Sequence, residues 1–283
     1  MAQIGSIAAL RRYPIKSMLG EDQVRAQVTS RGLAGDRIYA LIDVQTGKVV
    51  SAKLPHRWRG MLQVYAAHRV DAGNHSVEIT LPDGKAVDCG DPTVDVVLSA
   101  TLGRPVTLVS IRPEGLEMER AHPDAVVAQG DGTEVTYDVL PVGMGAPDGG
   151  FFDYAPIHFI TTTSLAAVTG APGKEAGDPA RYRPNLIIET PTGTAFQEND
   201  WVGSRLAIGS DLLLEVIAPT PRCAVPTLAH GDLPPDVQAL QKVAALNKIQ
   251  VLDLGRLACL GAYAKVIEPG VIRRDDPVIL IRP

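Results

Sequence analysis

Apolar residues in this chain come in short runs, closed off at frequent intervals by glycine, proline and aspartate. Val77, Ile79 and Leu81 alternate with polar residues, Pro82-Asp83-Gly84 turns the chain, and Ala86-Val87 follows. That is the pattern of a half-buried strand and its hairpin partner. Arg37-Ile38-Tyr39-Ala40-Leu41-Ile42, the turn Gln45-Thr46-Gly47 and Lys48-Val49-Val50-Ser51 predict a second hairpin. Leu212-Leu213-Leu214-Glu215-Val216-Ile217 predicts a buried strand. Helical spacing is rarer. Asp91-Pro92 can start a helix that carries Val94, Val97, Leu98 and Leu102 on one face. Pro235 to Asn247 places Val237, Leu240, Val243, Ala244 and Leu246 on one side, and a third helix can begin at Thr163-Ser164. Many short strands and few helices predict a mostly β, α+β fold of β-barrel type, with helices as plugs or covers. Glycine and proline are densest from Pro141 to Gly150, which makes that segment the best internal boundary.

Composition narrows the functional classes. At 283 residues the chain is long enough for a full core, as one large domain or two ordinary ones. A formal charge of −5 leaves no basic footprint, so a nucleic-acid partner is not expected. No apolar run reaches about 18 residues, so no membrane span is expected. Met1 to Leu10 has no charged start followed by a long apolar stretch, so no signal peptide is expected. Cys89, Cys223 and Cys259 are odd in number and widely spaced. They form no disulfide framework and no zinc-type pairing, and they fit a reducing, cytoplasmic setting.

One cysteine stands out. Thr220-Pro221-Arg222-Cys223 follows directly on the predicted Leu212–Ile217 strand. A thiol leaving a strand end at a proline-fixed turn, beside a guanidinium that favours the thiolate, is a candidate nucleophile or metal ligand. About 40 residues upstream, Arg181-Tyr182-Arg183-Pro184-Asn185 also leads straight into an apolar strand. Taken without context, a small buried hydrophobe is the commoner role for a lone cysteine. Cys259 is read that way, Cys89 at its strand end as structural or incidental, and His230 as a solvated loop residue or a proton donor near a bound metal.

These residues carry a resemblance. Arg181-Tyr182-Arg183-Pro184-Asn185, Phe196-Gln197-Glu198-Asn199-Asp200-Trp201-Val202-Gly203, Thr220-Pro221-Arg222-Cys223 and Gly261-Ala262-Tyr263 resemble, in order and spacing, a MOSC domain. This is the C-terminal domain of molybdenum-cofactor sulfurases. Tyr13-Pro14-Ile15-Lys16-Ser17 and Gly32-Leu33-Ala34-Gly35-Asp36-Arg37 resemble the N-terminal β-barrel domain that accompanies it. The resemblance implies two β-barrel-like modules with a cofactor cleft between them. It places the N-terminal module at 1–110, a connecting segment at 111–155 and the MOSC domain at 156–283. Described relatives include bacterial MOSC proteins and the mitochondrial amidoxime-reducing components.

The implied cofactor is a molybdenum-pterin, with Cys223 as metal ligand and catalytic thiolate. Lys16, Ser17 and Arg37 would meet the pterin and its phosphate. Arg183 and Asn185 would bind from the other module, with Thr163 and Ser164 nearby and Arg222 flanking the metal ligand. The implied function is reduction of N-hydroxylated compounds by oxygen-atom removal. An external electron donor of ferredoxin, flavodoxin or cytochrome type is expected, and no pyridoxal phosphate in this chain. The alternative implied is a non-catalytic carrier of the cofactor, or of sulfur as a Cys223 persulfide. The chain departs from the family pattern at Leu228-Ala229-His230-Gly231-Asp232, at Lys53 where an arginine is usual, and at Cys259-Leu260-Gly261.

Overall fold

The computed structural model describes residues 1–71, 74–170 and 179–283. Seven strands close into a barrel. In order around it run Ile157–Thr161, Leu186–Glu189, Ala2–Arg12, Pro277–Ile281, Arg205–Ile208, Leu212–Pro221 and Arg256–Glu268, and the last pairs back onto the first. Six of the seven contacts are antiparallel; Ile157–Thr161 and Leu186–Glu189 run parallel. The N-terminal strand is therefore part of the barrel formed mainly by the C-terminal half, lying between Leu186–Glu189 and Pro277–Ile281. The barrel interior is aliphatic, with Trp201 stacked on Phe159 at a centroid distance of 6.0 Å.

Beside the barrel lie smaller sheets. Tyr65–Asp71, Asn74–Thr80 and Ala86–Asp88 form a meander, the last two being the expected Pro82-Asp83-Gly84 hairpin. Ala40–Asp43 pairs with Val106–Val109, and Glu117–Ala121 pairs with Tyr137–Pro141. Val49 links these two ladders by bridging to Ile42 and Met118. Around them Trp58, Met61, Leu54 and Leu98 build a second core. The fold is thus mostly β with few short helices, as its sequence predicts.

Two of the three expected helices begin later than the sequence suggests. The first long one covers Val94–Leu102, because Asp91 Oδ1 accepts from the Thr93 N–H and hydroxyl in a turn that precedes it. Another covers Gln238–Leu246, since Asp236 likewise accepts from the Gln238 N–H. Thr162–Thr169 is capped by the Thr161 hydroxyl, which accepts from the Ser164 N–H.

The strand that presents Cys223 is longer than the apolar run alone indicates. Leu212–Pro221 buries alternate residues all the way to Thr220. Its pairing to Arg256–Glu268 shifts register between Val216 and Ala218 and again between Pro219 and Pro221. Proline cannot donate to a ladder, and bulges re-aim the chain that follows. Here the ladder ends and the chain crosses to the neighbouring module. Ala224 belongs to the second core, and Cys223 packs with Ala52 and Leu62 of the N-terminal part and with Val225 and Leu228.

Candidate functional site

A cavity of about 390 Å³ opens where the barrel meets the smaller sheets. Seven of the nine sequence-predicted site residues line it: Lys16, Ser17, Arg37, Arg183, Asn185, Arg222 and Cys223. Thr163 and Ser164 do not. Their hydroxyls are turned into a buried network with Thr161, Thr190 and Glu198, which serves the start of the Thr162–Thr169 helix. Lys53 lines the cavity as well.

The backbone here is unusual. Ser17, Arg37 and Arg183 have φ of 67°, 48° and 54°, and Leu252 on the same cavity has 44°. Positive φ costs a side-chain-bearing residue roughly 1–3 kcal/mol and persists where the surroundings force it, commonly at binding sites. Four of the six such non-glycine residues among those described line this one cavity.

Tyr13, Asp36 and Asn185 supply that force. Asp36 accepts from the Tyr13 N–H at 2.6 Å and from Asn185 Nδ2 at 3.0 Å, and pairs with Arg37. Asn185 Oδ1 accepts from the His158 N–H at 3.2 Å. The Asn185 amide is thereby committed to tying the two modules together, and its part in the site is to position others. The guanidinium carbons of Arg37 and Arg183 lie 4.4 and 4.3 Å from the Tyr13 ring centroid. Such stacking holds the two cations without neutralising them.

Electrostatically the cavity is positive on a chain of net negative charge. Lys16 donates to the Phe151 carbonyl at 3.0 Å and pairs with Asp153, whose other oxygen is 3.0 Å from Lys53 Nζ. Burial lowers the Lys16 pKa from its ordinary value to about 8, against the pull of Asp153. Burial alone would raise Asp153, but Lys16 and Lys53 hold its carboxyl well below the usual range. Burial pulls Arg183 down to about 10, and among the described residues its Nη1 has no acceptor. Arg222 donates to the Tyr182 carbonyl at 2.8 Å, and its Nε is likewise buried without an acceptor. An anion is what these N–H groups lack.

Lys16 gives the site a pH signature. With its pKa near 8, Lys16 is charged at pH 7 and largely neutral at pH 9. Sulfate keeps its charge across that range. Its affinity for the cofactor-free protein is expected to fall about fivefold between pH 7 and 9, by equilibrium dialysis. Lys16→Met should bind weakly and without that pH dependence. A wild-type affinity constant over the range would remove Lys16 from the anion seat.

Cys223 is 8% exposed at the cavity wall, and among the described residues nothing hydrogen-bonds its thiol. Cys89 and Cys259 lie off the cavity, and burial pushes both thiols up to about 12. No three His, Cys, Asp or Glu side chains converge to hold a metal among the described residues. A metal at Cys223 would therefore bring its other donors with it.

Two neighbours, Asp153 and His158, escape sequence reasoning. Asp153 sits in Phe151-Phe152-Asp153-Tyr154, which reads as a packing segment after the glycine-rich stretch. His158 occupies a fully buried strand, and its aromatic contact with Tyr263 at 5.7 Å is a long-range one. Burial, then the Arg222 charge, pushes His158 down to about 3, so it stays neutral. Gly261, with φ +80°, passes so close that a Cβ there would lie 2.7 Å from His158 Nε2. His230, expected in solvent, is 3% exposed and off the cavity wall; its Nδ1 donates to the Leu228 carbonyl at 2.9 Å. Burial lowers its pKa to about 4, which makes it a poor proton donor.

Two families match the sequence. Residues 146–279 match the MOSC domain family, and residues 4–89 match the MOSC N-terminal β-barrel domain family. Mitochondrial amidoxime-reducing component 1 of Homo sapiens is 24% identical over 315 residues, covering 99% of this chain and 84% of the relative. Mitochondrial amidoxime reducing component 2 of Homo sapiens is 25% identical over 310 residues, covering 98% and 84%. The solved structure of the YUAD protein from Bacillus subtilis aligns over 99% of this chain and 96% of its own, at 10% identity and a TM-score of 0.42. Among the described residues no helix is long and apolar enough to cross a membrane.

Proposed function

The chain belongs to the MOSC-domain proteins, and from that premise we propose that it is a molybdenum-cofactor-dependent reductase of N-hydroxylated compounds. One observation carries the reading: among the described residues, the unpartnered Cys223 thiol and the buried Arg183 and Arg222 N–H groups without acceptors meet in one cavity that Lys16, Ser17 and Arg37 also line.

The donor set fits the implied group. A thiolate suits a soft, high-valent metal already carrying sulfur. Lysine, arginine and a serine hydroxyl suit the phosphate of a pterin. Cys223 would hold the metal, Lys16, Ser17, Arg37 and Arg183 would hold the pterin and phosphate, and Arg222 would flank the metal ligand. When bound, the cofactor supplies the two-electron chemistry that removes oxygen from nitrogen.

The protein's own residues supply the rest. Lys16, Lys53, Arg37 and Arg183 offset the charge of an anionic ligand in a partly dry cavity, where charge-assisted bonds are strong. Neutral His158 can accept from Arg222 Nη1 at 3.4 Å, which helps hold that guanidinium in place. Burial raises the Tyr263 hydroxyl well above its usual range, so it stays protonated beside the site. In overall balance the N-hydroxy compound takes up two electrons and two protons and releases the amine or amidine and water. The electrons come from an external one-electron carrier. The amidoxime-reducing relatives support the substrate class through their names.

The test is turnover. Protein carrying stoichiometric molybdenum, given a reduced viologen, is expected to convert benzamidoxime to benzamidine, followed by chromatography. Fully loaded protein that reduces no N-hydroxylated base, yet passes its cofactor to an apo-enzyme, would establish the carrier function instead.

A further inference from the structure

The cavity is graded in chemistry from floor to mouth. Its floor is basic and buried, with Lys16 4% and Cys223 8% exposed. Its mouth is exposed and mainly apolar: Met144, Leu252 and Leu254 line the cavity and are 65%, 59% and 66% exposed, with Asp138 the exposed charged exception on the same lining. Single exposed leucines are ordinary. Three long apolar side chains around one opening are not, because leaving them in water forgoes burial free energy that each could gain elsewhere.

These side chains are held in place. Leu252 and Leu254 sit on a tight turn ahead of the Arg256–Glu268 strand. Val251 N–H donates to the Gly255 carbonyl at 3.0 Å, Leu254 N–H to the Val251 carbonyl at 2.9 Å, and Gln250 Nε2 to the Leu252 carbonyl at 2.7 Å. Leu252 adopts φ 44°, a strained choice for leucine. Met144 comes from the far side in sequence, on a segment tied down where Gly145 N–H donates to the Tyr154 carbonyl at 2.8 Å. Leu140 and Leu257 continue the apolar wall inward.

We propose that this mouth is the recognition site for the organic body of the substrate, and that it selects N-hydroxylated compounds built on a neutral aryl or alkyl group. The proposal rests on the reductase reading above and adds its specificity determinants, Leu252, Leu254 and Met144. A small molecule is the occupant because the three side chains line the cavity that continues to Cys223. An apolar body between them places its N–O group inward, toward the basic floor. Cationic bodies are disfavoured by the lysines and arginines there.

The experiment compares benzamidoxime with acetamidoxime on molybdenum-loaded protein without reductant, so that binding is measured by calorimetry with no turnover. Wild type is expected to bind benzamidoxime about tenfold more tightly or better. In Leu252→Ser/Leu254→Ser that preference should shrink to about threefold or less, with molybdenum content unchanged. Both residues are exposed, so the variant keeps its fold. An unchanged preference in the variant overturns the proposal while leaving the reductase reading standing. The same holds if the variant slows only with a protein electron donor and not with a viologen, because the leucines would then be a protein-docking surface. If neither amidoxime binds or is reduced by loaded wild type, the reductase reading itself fails.

Discussion

Cys223→Ala is expected to leave a folded protein stripped of molybdenum. The side chain packs with Ala52, Leu62, Val225 and Leu228, and its thiol has no hydrogen bond to lose among the described residues. Removing one sulfur there costs roughly 1 kcal/mol, within what a domain of this size tolerates. The effect on the metal is of another order. Cys89, half-buried, and Cys259, buried, lie off the cavity as high-pKa thiols, so neither can take over. In a host that makes the cofactor, molybdenum by mass spectrometry should fall below about a twentieth of wild type, with pterin fluorescence falling alongside. Cys223→Ser, which keeps the shape but offers a hard oxygen, should fare little better. A variant with near-wild-type molybdenum would end the assignment of Cys223 as metal ligand.

Local pattern made Cys223 a candidate, and the family motif around it singled it out. An apolar run, two prolines and a basic residue describe a strand that must stop and turn, and the fold places the thiol at that stop. Lys16, Ser17, Arg37 and Arg183 were reachable through their motifs. What stayed hidden depends on contacts far apart in sequence. Ala2–Arg12 carries no mark that it pairs with residues 186–189 and 277–281, because register is set by partners and not by the strand itself. Asp153 becomes visible only when Lys16 and Lys53 arrive on either side of it. Thr163 and Ser164 mislead for a physical reason. Hydroxyls at a helix start suit an anion, but they equally suit the cap and the buried Glu198 they actually serve. His230 sits in a loop with glycine and aspartate yet is folded inward, where the Leu228 carbonyl accepts a hydrogen bond from its Nδ1–H.

Arg183→Asn is expected to separate binding from stability. Breaking a buried ion pair by removing one partner typically costs about 3–5 kcal/mol. Among the described residues Arg183 has no carboxylate within pairing distance; it has the Tyr13 ring at 4.3 Å, and its Nη1 is buried with no acceptor. Its backbone stands at φ 54° immediately before Pro184, which narrows its options further. Asparagine tolerates that conformation better than most residues and carries no charge to desolvate. The stacking lost and the strain and desolvation relieved are each of order 1 kcal/mol, so cofactor-free Arg183→Asn should unfold within about 1 kcal/mol of wild type in denaturant. Anion binding should collapse. Sulfate affinity is expected to drop about tenfold or more and molybdenum retention with it, because the fork of N–H donors left open in the free protein is gone. Arg183→Lys, a single point charge, should recover part of the sulfate affinity and less of the cofactor. A loss of stability in the ion-pair range, or full cofactor retention by Arg183→Asn, would mean that Arg183 is there for the fold. The expected result would mean that this part of the cavity is kept strained and uncompensated in the free protein because an anionic ligand completes it.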